Sequence, residues 1–246
     1  MHNLLYHEAY LFTFCHFSSF ELRMTLSFAG RVAIVTGGAG ALGRAYCILL
    51  ARMGCKVVVN DLVGIYGPYN LPINLRSISH HLDISLQGTS VHGGSEHSAS
   101  PAERLVNEIK AAGGTAIADT NDVTNGEAIV QTAIRAFGKI DIIIHNAGIL
   151  LDTTIVKMTR EKWDEILQVH LTAGYALAHA AWGHMQQQKY GRFLFTASTS
   201  GLYGNFGQAN YAAAKMGVWG LAKTLAVEGE KYNIHANVIV PTAASR

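Results

Sequence analysis

Short runs of continuously apolar residues alternate along this chain with longer stretches whose apolar positions recur every three or four residues. The runs are Val32-Ala33-Ile34-Val35, Val57-Val58-Val59, Thr115-Ala116-Ile117-Ala118, Ile140 to His145, Arg192 to Thr196 and Ala236 to Val240. Runs this short, without polar alternation, are the pattern of strands buried on both faces. The stretches between them have helical period. One covers Leu42 to Met53 and stops at Gly54. A long one from about Thr159 to Gln188 carries Trp163, Ile166, Leu167, Leu171, Tyr175 and Ala178, and a third covers Ala209 to about Glu230. Two more open on start signals. Ser100-Pro101-Ala102-Glu103 joins a capping box to proline at the first helical position, and Thr124-Asn125-Gly126-Glu127 reads as a second capping box. Alternation of this kind predicts an α/β fold: a Rossmann-type doubly wound parallel sheet between two helical layers, three-layer α/β/α.

Composition agrees with one globular domain. The chain has 246 residues, 49% apolar and 15% charged, which is enough to bury a sizeable core and argues against disorder. Net charge is +2 and no polybasic block is present, so neither nucleic acid nor an anionic membrane is indicated as a partner. The most apolar segment, Leu4 to Phe20, is broken by His7, Glu8 and His16 and is too short for a typical span. It lacks a basic leader and a small-residue cleavage site, so a secretory signal is not expected either. Cys15, Cys47 and Cys55 are scattered, which suggests no disulfide framework and fits a reducing compartment. His80, His81, His92 and His97 have no cysteine or carboxylate partners at ligand spacing, so no metal site is expected.

Two motifs carry chemistry. Thr36-Gly37-Gly38-Ala39-Gly40-Ala41-Leu42-Gly43 lies between the first apolar run and the first helical stretch. Strand, glycine turn and helix form the context of a dinucleotide fingerprint, where small residues let the backbone approach a pyrophosphate and the helix N-terminus stabilises its charge. Thr36, Gly37, Gly38, Gly40, Ala41, Leu42 and Gly43 are the candidate contacts. The second run ends at Asn60-Asp61. A carboxylate there accepts from both adenosine ribose hydroxyls and repels a 2′-phosphate, which favours NAD; the plain alternative is that Asp61 caps a turn. The other motif is Tyr211-Ala212-Ala213-Ala214-Lys215. In a helix this spacing places phenol and ammonium on one face, and the cation is expected to lower the tyrosine pKa from about 10. Such a tyrosine can take a proton from an alcohol or return one to a ketone. Ser198 precedes Tyr211 by thirteen residues, and this spacing prefers it to its neighbour Ser200.

Taken together, the glycine loop, Asp61, Asn146-Ala147-Gly148 and the Ser198, Tyr211, Lys215 set resemble the short-chain dehydrogenase/reductase family over about Ser27 to Arg246. The strings Asn60-Asp61-Leu62, Gly201 to Tyr211 and Pro241 to Arg246 resemble its (3R)-3-hydroxyacyl-CoA dehydrogenase subgroup. The resemblance implies NAD-dependent oxidation of a (3R)-3-hydroxyacyl-CoA, a peroxisomal setting, and a homodimer through the 159–188 and 209–230 helices. It implies that Tyr211 is the general base, that Lys215 also binds the nicotinamide ribose and that Ser198 orients the substrate oxygen. It adds Asp122, Val123, Asn146, Ala147, Gly148 and Pro241 to the cofactor contacts. His170 stands where the wider family places a catalytic asparagine. It is read either as a member of a proton relay or as a helix histidine satisfied by a backbone carbonyl. Rival readings are a steroid dehydrogenase or 3-oxoacyl reductase of the same family, or a non-catalytic fragment.

The sequence departs from the family at several places. Ala41 replaces the middle glycine of T-G-x-x-x-G-x-G and is expected to strain the loop or push the pyrophosphate away. His145 replaces the first asparagine of N-N-A-G. Met24 resembles the subgroup's start, which leaves residues 1–23 as an extension before a dehydrogenase domain at 24–246. Thirty-nine residues separate Asp61 from Pro101, with Ile65 to about Gly88 an apparent insertion in that 62–100 loop. Family members continue beyond Pro241 into a substrate-covering loop and a last strand, so a sheet lacking that strand is expected.

Overall fold

A computed structural model describes residues 26–62 and 99–241. The N-terminal extension, the insertion with its four histidines and the residues after Pro241 lie outside the described residues. The described elements are β1 (Val32–Thr36), α1 (Ala41–Arg52), β2 (Lys56–Asn60), α2 (Pro101–Ala111), β3 (Thr115–Asp119) and α3 (Gly126–Phe137). They continue with β4 (Ile142–His145), α4 (Arg160–Leu167), α5 (Ala173–Gln188), β5 (Gly191–Thr196), α6 (Thr199–Tyr203), α7 (Ala209–Gly229) and β6 (Ile234–Ile239).

The strands form one six-stranded sheet in the order β3-β2-β1-β4-β5-β6, every pair parallel. This is the doubly wound Rossmann order, with the direction of winding reversing between β1 and β4. The uninterrupted apolar runs are explained by the two cores. In β1, Val32 and Ile34 point to a core shared with α3, α5 and α7, while Ala33 and Val35 point to one shared with α1 and α2. Phe193 and Phe195 of β5 enter the first core, stacked 6.0 Å apart. The period of two along each strand therefore fills both layers. Asp141 fixes the entry to the central pair. Its buried carboxylate accepts from Val32 N and from Arg31 at 2.9 Å, with Lys139 at 3.0 Å.

Element starts follow their caps, with one correction. Ser100 and Glu103 make the expected capping box on α2. At α3 the cap is Asn125, not Thr124: the Asn125 side chain accepts from Ala128 N, while Thr124 donates from both N and Oγ1 to Asp122. The long stretch predicted from Thr159 to Gln188 is helical but not uniform. A π-helical turn at Gln168–Thr172 separates α4 from α5.

Candidate active site

The reversal of winding opens a crevice beyond the carboxyl ends of β1 and β4, where ligands of such sheets bind. Thr36 closes its floor. The Thr36 hydroxyl accepts from Asn146 N and Ala147 N, both at 3.1 Å, and the Asn146 amide donates to Thr36 O and Gly37 O at 3.2 Å. The glycine loop is thereby tied to the Asn146-Ala147-Gly148 segment. Its glycines are set by contact. A Cβ at Gly43 would stand 2.0 Å from Gly37 O, and one at Gly37, where φ is +61°, would stand 2.9 Å from Ala147 Cα. Gly38 N donates to Asn60 O at 2.9 Å and Gly40 closes the turn with a bond to Gly37 O at 3.2 Å. Ala41 and Leu42 open α1 with exposed side chains, and Ala41 has no positive φ. The expected loop strain at Ala41 is not found: its φ is not positive and its methyl is exposed on the first helical turn.

Asp61 stands at the end of β2, and its Oδ2 accepts from Ala39 N at 2.8 Å. It is 6% exposed, and burial raises its pKa against the opposing pull of the Ala39 and Leu62 backbone N–H groups. Of the sequence alternatives for Asp61, the turn cap is present, since its carboxylate holds the glycine turn through Ala39 N. Asp122 is exposed in the turn after β3, whereas Val123 packs its side chain into the core. Pro241 follows β6 at the same end of the sheet.

Ser198, Tyr211 and Lys215 converge at the carboxyl end of β5. Ser198 caps α6 by accepting from Ser200 N at 3.2 Å. Tyr211 lies in the first turn of α7, and Lys215 follows one turn later. The relation between them differs from the expectation. Lys215 Nζ donates to Thr196 O at 2.7 Å and stands 5.4 Å from the Tyr211 ring centroid. Burial raises the phenol's pKa, the Ser198 hydroxyl pulls it down, and the Asp152 charge raises it further. The predicted lowering by Lys215 is thus not found, because burial is the largest influence on the phenol. Burial instead brings the Lys215 pKa down to about 7.

His170 lies in the π turn, 1% exposed, with its ring edge-on to Tyr211 at 5.0 Å. Its Nε2 meets the backbone of Ile149, 2.8 Å from O and 3.1 Å from N. Nδ1 has no partner among the described residues. The ring also explains Gly148, where a Cβ would stand 2.4 Å from His170 Cε1. Burial, then Lys215, holds the imidazole neutral.

Sequence reasoning missed a clamp beside Tyr211. Asn205 donates to Gln208 Oε1 at 3.0 Å, Gln208 donates to Asp152 Oδ2 at 2.9 Å, and Thr153 N donates to Gly207 O at 2.8 Å. Asn210, fully buried, donates to Leu151 O and Lys162 O. No local spacing signals Asp152, which meets Gln208 across 56 residues of chain. Among the described residues, no helix is long and apolar enough to cross a membrane and no group of three metal-ligating side chains occurs.

A model of the short chain dehydrogenase family matches residues 83–245. The peroxisomal hydratase-dehydrogenase-epimerase of Saccharomyces cerevisiae is 48% identical over 222 residues, 90% of this chain and 22% of that protein. A short-chain type dehydrogenase/reductase of Mycobacterium tuberculosis is 43% identical over 219 residues, 88% of this chain and 68% of that one. The solved structure of full-length peroxisomal multifunctional enzyme type 2 from Drosophila melanogaster superposes with a TM-score of 0.66 at 38% identity, covering 90% of this chain and 32% of that one. The chain thus spans less than half the length of several peroxisomal relatives it matches.

Proposed function

The chain belongs to the short-chain dehydrogenase/reductase family, and from that premise we propose that it oxidises (3R)-3-hydroxyacyl-CoA with NAD. The observation that carries this reading is the meeting of Ser198, Tyr211 and Lys215 beside the glycine loop at the carboxyl ends of the strands. Family dehydrogenases generally use NAD or NADP. The residues fit a dinucleotide. The loop's small residues leave backbone at the helix N-terminus, Asp61 waits at the ribose end, and the buried Lys215 amine is held by one carbonyl. Thr36, Gly37, Gly38, Gly40, Ala41, Leu42, Gly43, Asp61, Asp122, Val123, Asn146, Ala147, Gly148, Tyr211, Lys215 and Pro241 would hold it. When bound, the nicotinamide supplies the hydride acceptor.

The protein's own part is proton transfer and orientation. Ser198 donates to the substrate oxygen and fixes it against Tyr211. Tyr211 takes the hydroxyl proton as hydride leaves the carbon, and returns it in the reverse direction. Lys215, with a pKa near neutrality, carries charge to the phenolate and ribose side of the site. His170 supports the Tyr211 ring from its edge.

An acyl substrate is favoured by the apolar rim. Ile155 and Val156 are 68% and 93% exposed, and Tyr203 and Phe206 are 84% and 87% exposed. These residues sit on the two segments joined by the Thr153–Gly207 bond. Matches to peroxisomal enzymes support a peroxisomal setting. Exposed Tyr175 on α5 and Met216 on α7 support a homodimer through those helices.

Cofactor titration tests the reading. NADH should bind tighter than NADPH, since a 2′-phosphate would meet the Asp61 carboxylate. Asp61→Ala should weaken NADH about tenfold or more, because it removes charged hydrogen bonds and frees Ala39 N. Equal or tighter binding of NADPH by the unaltered protein would overturn the assignment.

A further inference from the structure

We propose that His145 is a positioning residue that couples the glycine loop to the turn carrying His170, through one imidazole that bridges Thr36 and the His170 carbonyl. The inference rests on the reading of Thr36 to Gly43 as the dinucleotide loop. His145 ends β4 and is 2% exposed. Its Nε2 lies 2.8 Å from His170 O, and its Nδ1 lies 3.5 Å from Thr36 Oγ1.

One protonation pattern satisfies every partner. The Thr36 hydroxyl oxygen already accepts from Asn146 N and Ala147 N, so its hydrogen is left to donate. Nδ1 of His145 must then accept. The ring proton sits on Nε2 and donates to the His170 carbonyl, which is itself acceptor-only. The ring is therefore neutral, and burial agrees, bringing its pKa down to about 4. The imidazole is closely packed: a Cβ at Gly174 would stand 3.1 Å from its Cδ2, and the Phe195 ring lies roughly perpendicular to it with centroids 6.1 Å apart.

The bridge is continuous from cofactor side to proton-transfer side. Thr36 holds the glycine loop and the Asn146-Ala147 segment; His145 joins Thr36 to the π turn; His170 in that turn lies edge-on to Tyr211. A π turn adds one residue to a helical turn and is frequent at functional sites. A donor bonded to its carbonyl fixes how far His170 stands from Tyr211. An apolar residue in the same space would leave the Thr36 hydroxyl hydrogen without its acceptor and remove the side-chain donor from the His170 carbonyl.

The test compares the unaltered protein with His145→Phe, His145→Leu and His145→Gln. NADH affinity, the rise in Tm on saturation with NADH, and kcat and KM for NAD on (3R)-3-hydroxybutyryl-CoA are measured for each. The Phe and Leu variants should lose about tenfold in both NADH affinity and kcat, and show a smaller NADH-induced rise in Tm. The Gln variant, whose amide can donate to the His170 carbonyl, should recover kcat to within about threefold. A lower Tm without nucleotide, but with NADH affinity and kcat unchanged in whichever apolar variant folds, would overturn the proposal. If the unaltered protein binds no NADH, the dinucleotide reading fails and this proposal fails with it.

Discussion

Tyr211 and Lys215 show what a spacing in sequence can and cannot carry. Four residues on a helix place both side chains on one face, and the structure agrees. The electrostatic half of the inference differs because burial acts on both groups, raising the phenol's pKa and bringing the amine's down to about 7, and burial is not legible from local spacing. With burial the largest influence on both groups, Tyr211→Phe should leave NADH binding nearly intact and lower turnover about 10²-fold or more. Steady-state rates beside an NADH titration check this. His145 gives a second prediction at this scale. An unfolded chain binds a proton on this ring below about 6.5, while the folded chain does so only near pH 4. Stability should be fully present above pH 6.5 and fall as pH drops through that window, by an amount on the order of 3 kcal/mol. Buried His170 and Lys215 add to the same pH dependence. The His145 share is therefore read as the difference between the unaltered protein and His145→Gln in urea unfolding at pH 7 and pH 4.5, the variant showing the flatter slope. His145 was visible in the sequence as a departure. Its bonds to Thr36 and His170 were not, because they join three separate stretches of chain.

At the scale of elements, the glycine loop separates residues that look alike in a motif. Gly43 packs on backbone, so Gly43→Ala must move the Gly37 carbonyl and should cost about 1–3 kcal/mol and most NADH affinity. Ala41 begins α1 with its methyl exposed, so Ala41→Gly should leave NADH affinity within about threefold. Paired thermal melts and NADH titrations distinguish the two positions. The start of α3 was misplaced by one residue because Thr124 fits the capping pattern but is held by Asp122. Removing the true cap with Asn125→Ala should cost about 1 kcal/mol, while the α2 capping box behaves as its sequence says. The π turn escaped detection because one added residue barely alters the apolar spacing on either side. It is nevertheless the element that brings His170 to Tyr211.

At the scale of the molecule, the sheet was the most legible feature. Each apolar run became a strand, the central ones covered on both faces and β6 on one, and the alternating helices set a parallel order. The sharing of the strands between two separate cores follows from the period of two. The Asp152–Gln208 clamp does not, since it depends on how the segment after β4 meets the turn before α7. The most direct test of the account is NADH formation from (3R)-3-hydroxyacyl-CoA by the protein and its Tyr211→Phe variant, with the (3S) isomer and NADP as controls. The account predicts turnover of the (3R) isomer with NAD, a loss of about 10²-fold in the variant, and slower reaction in both controls. Undiminished turnover in Tyr211→Phe, or a folded, NADH-binding protein that leaves the (3R) isomer unoxidised, would contradict it.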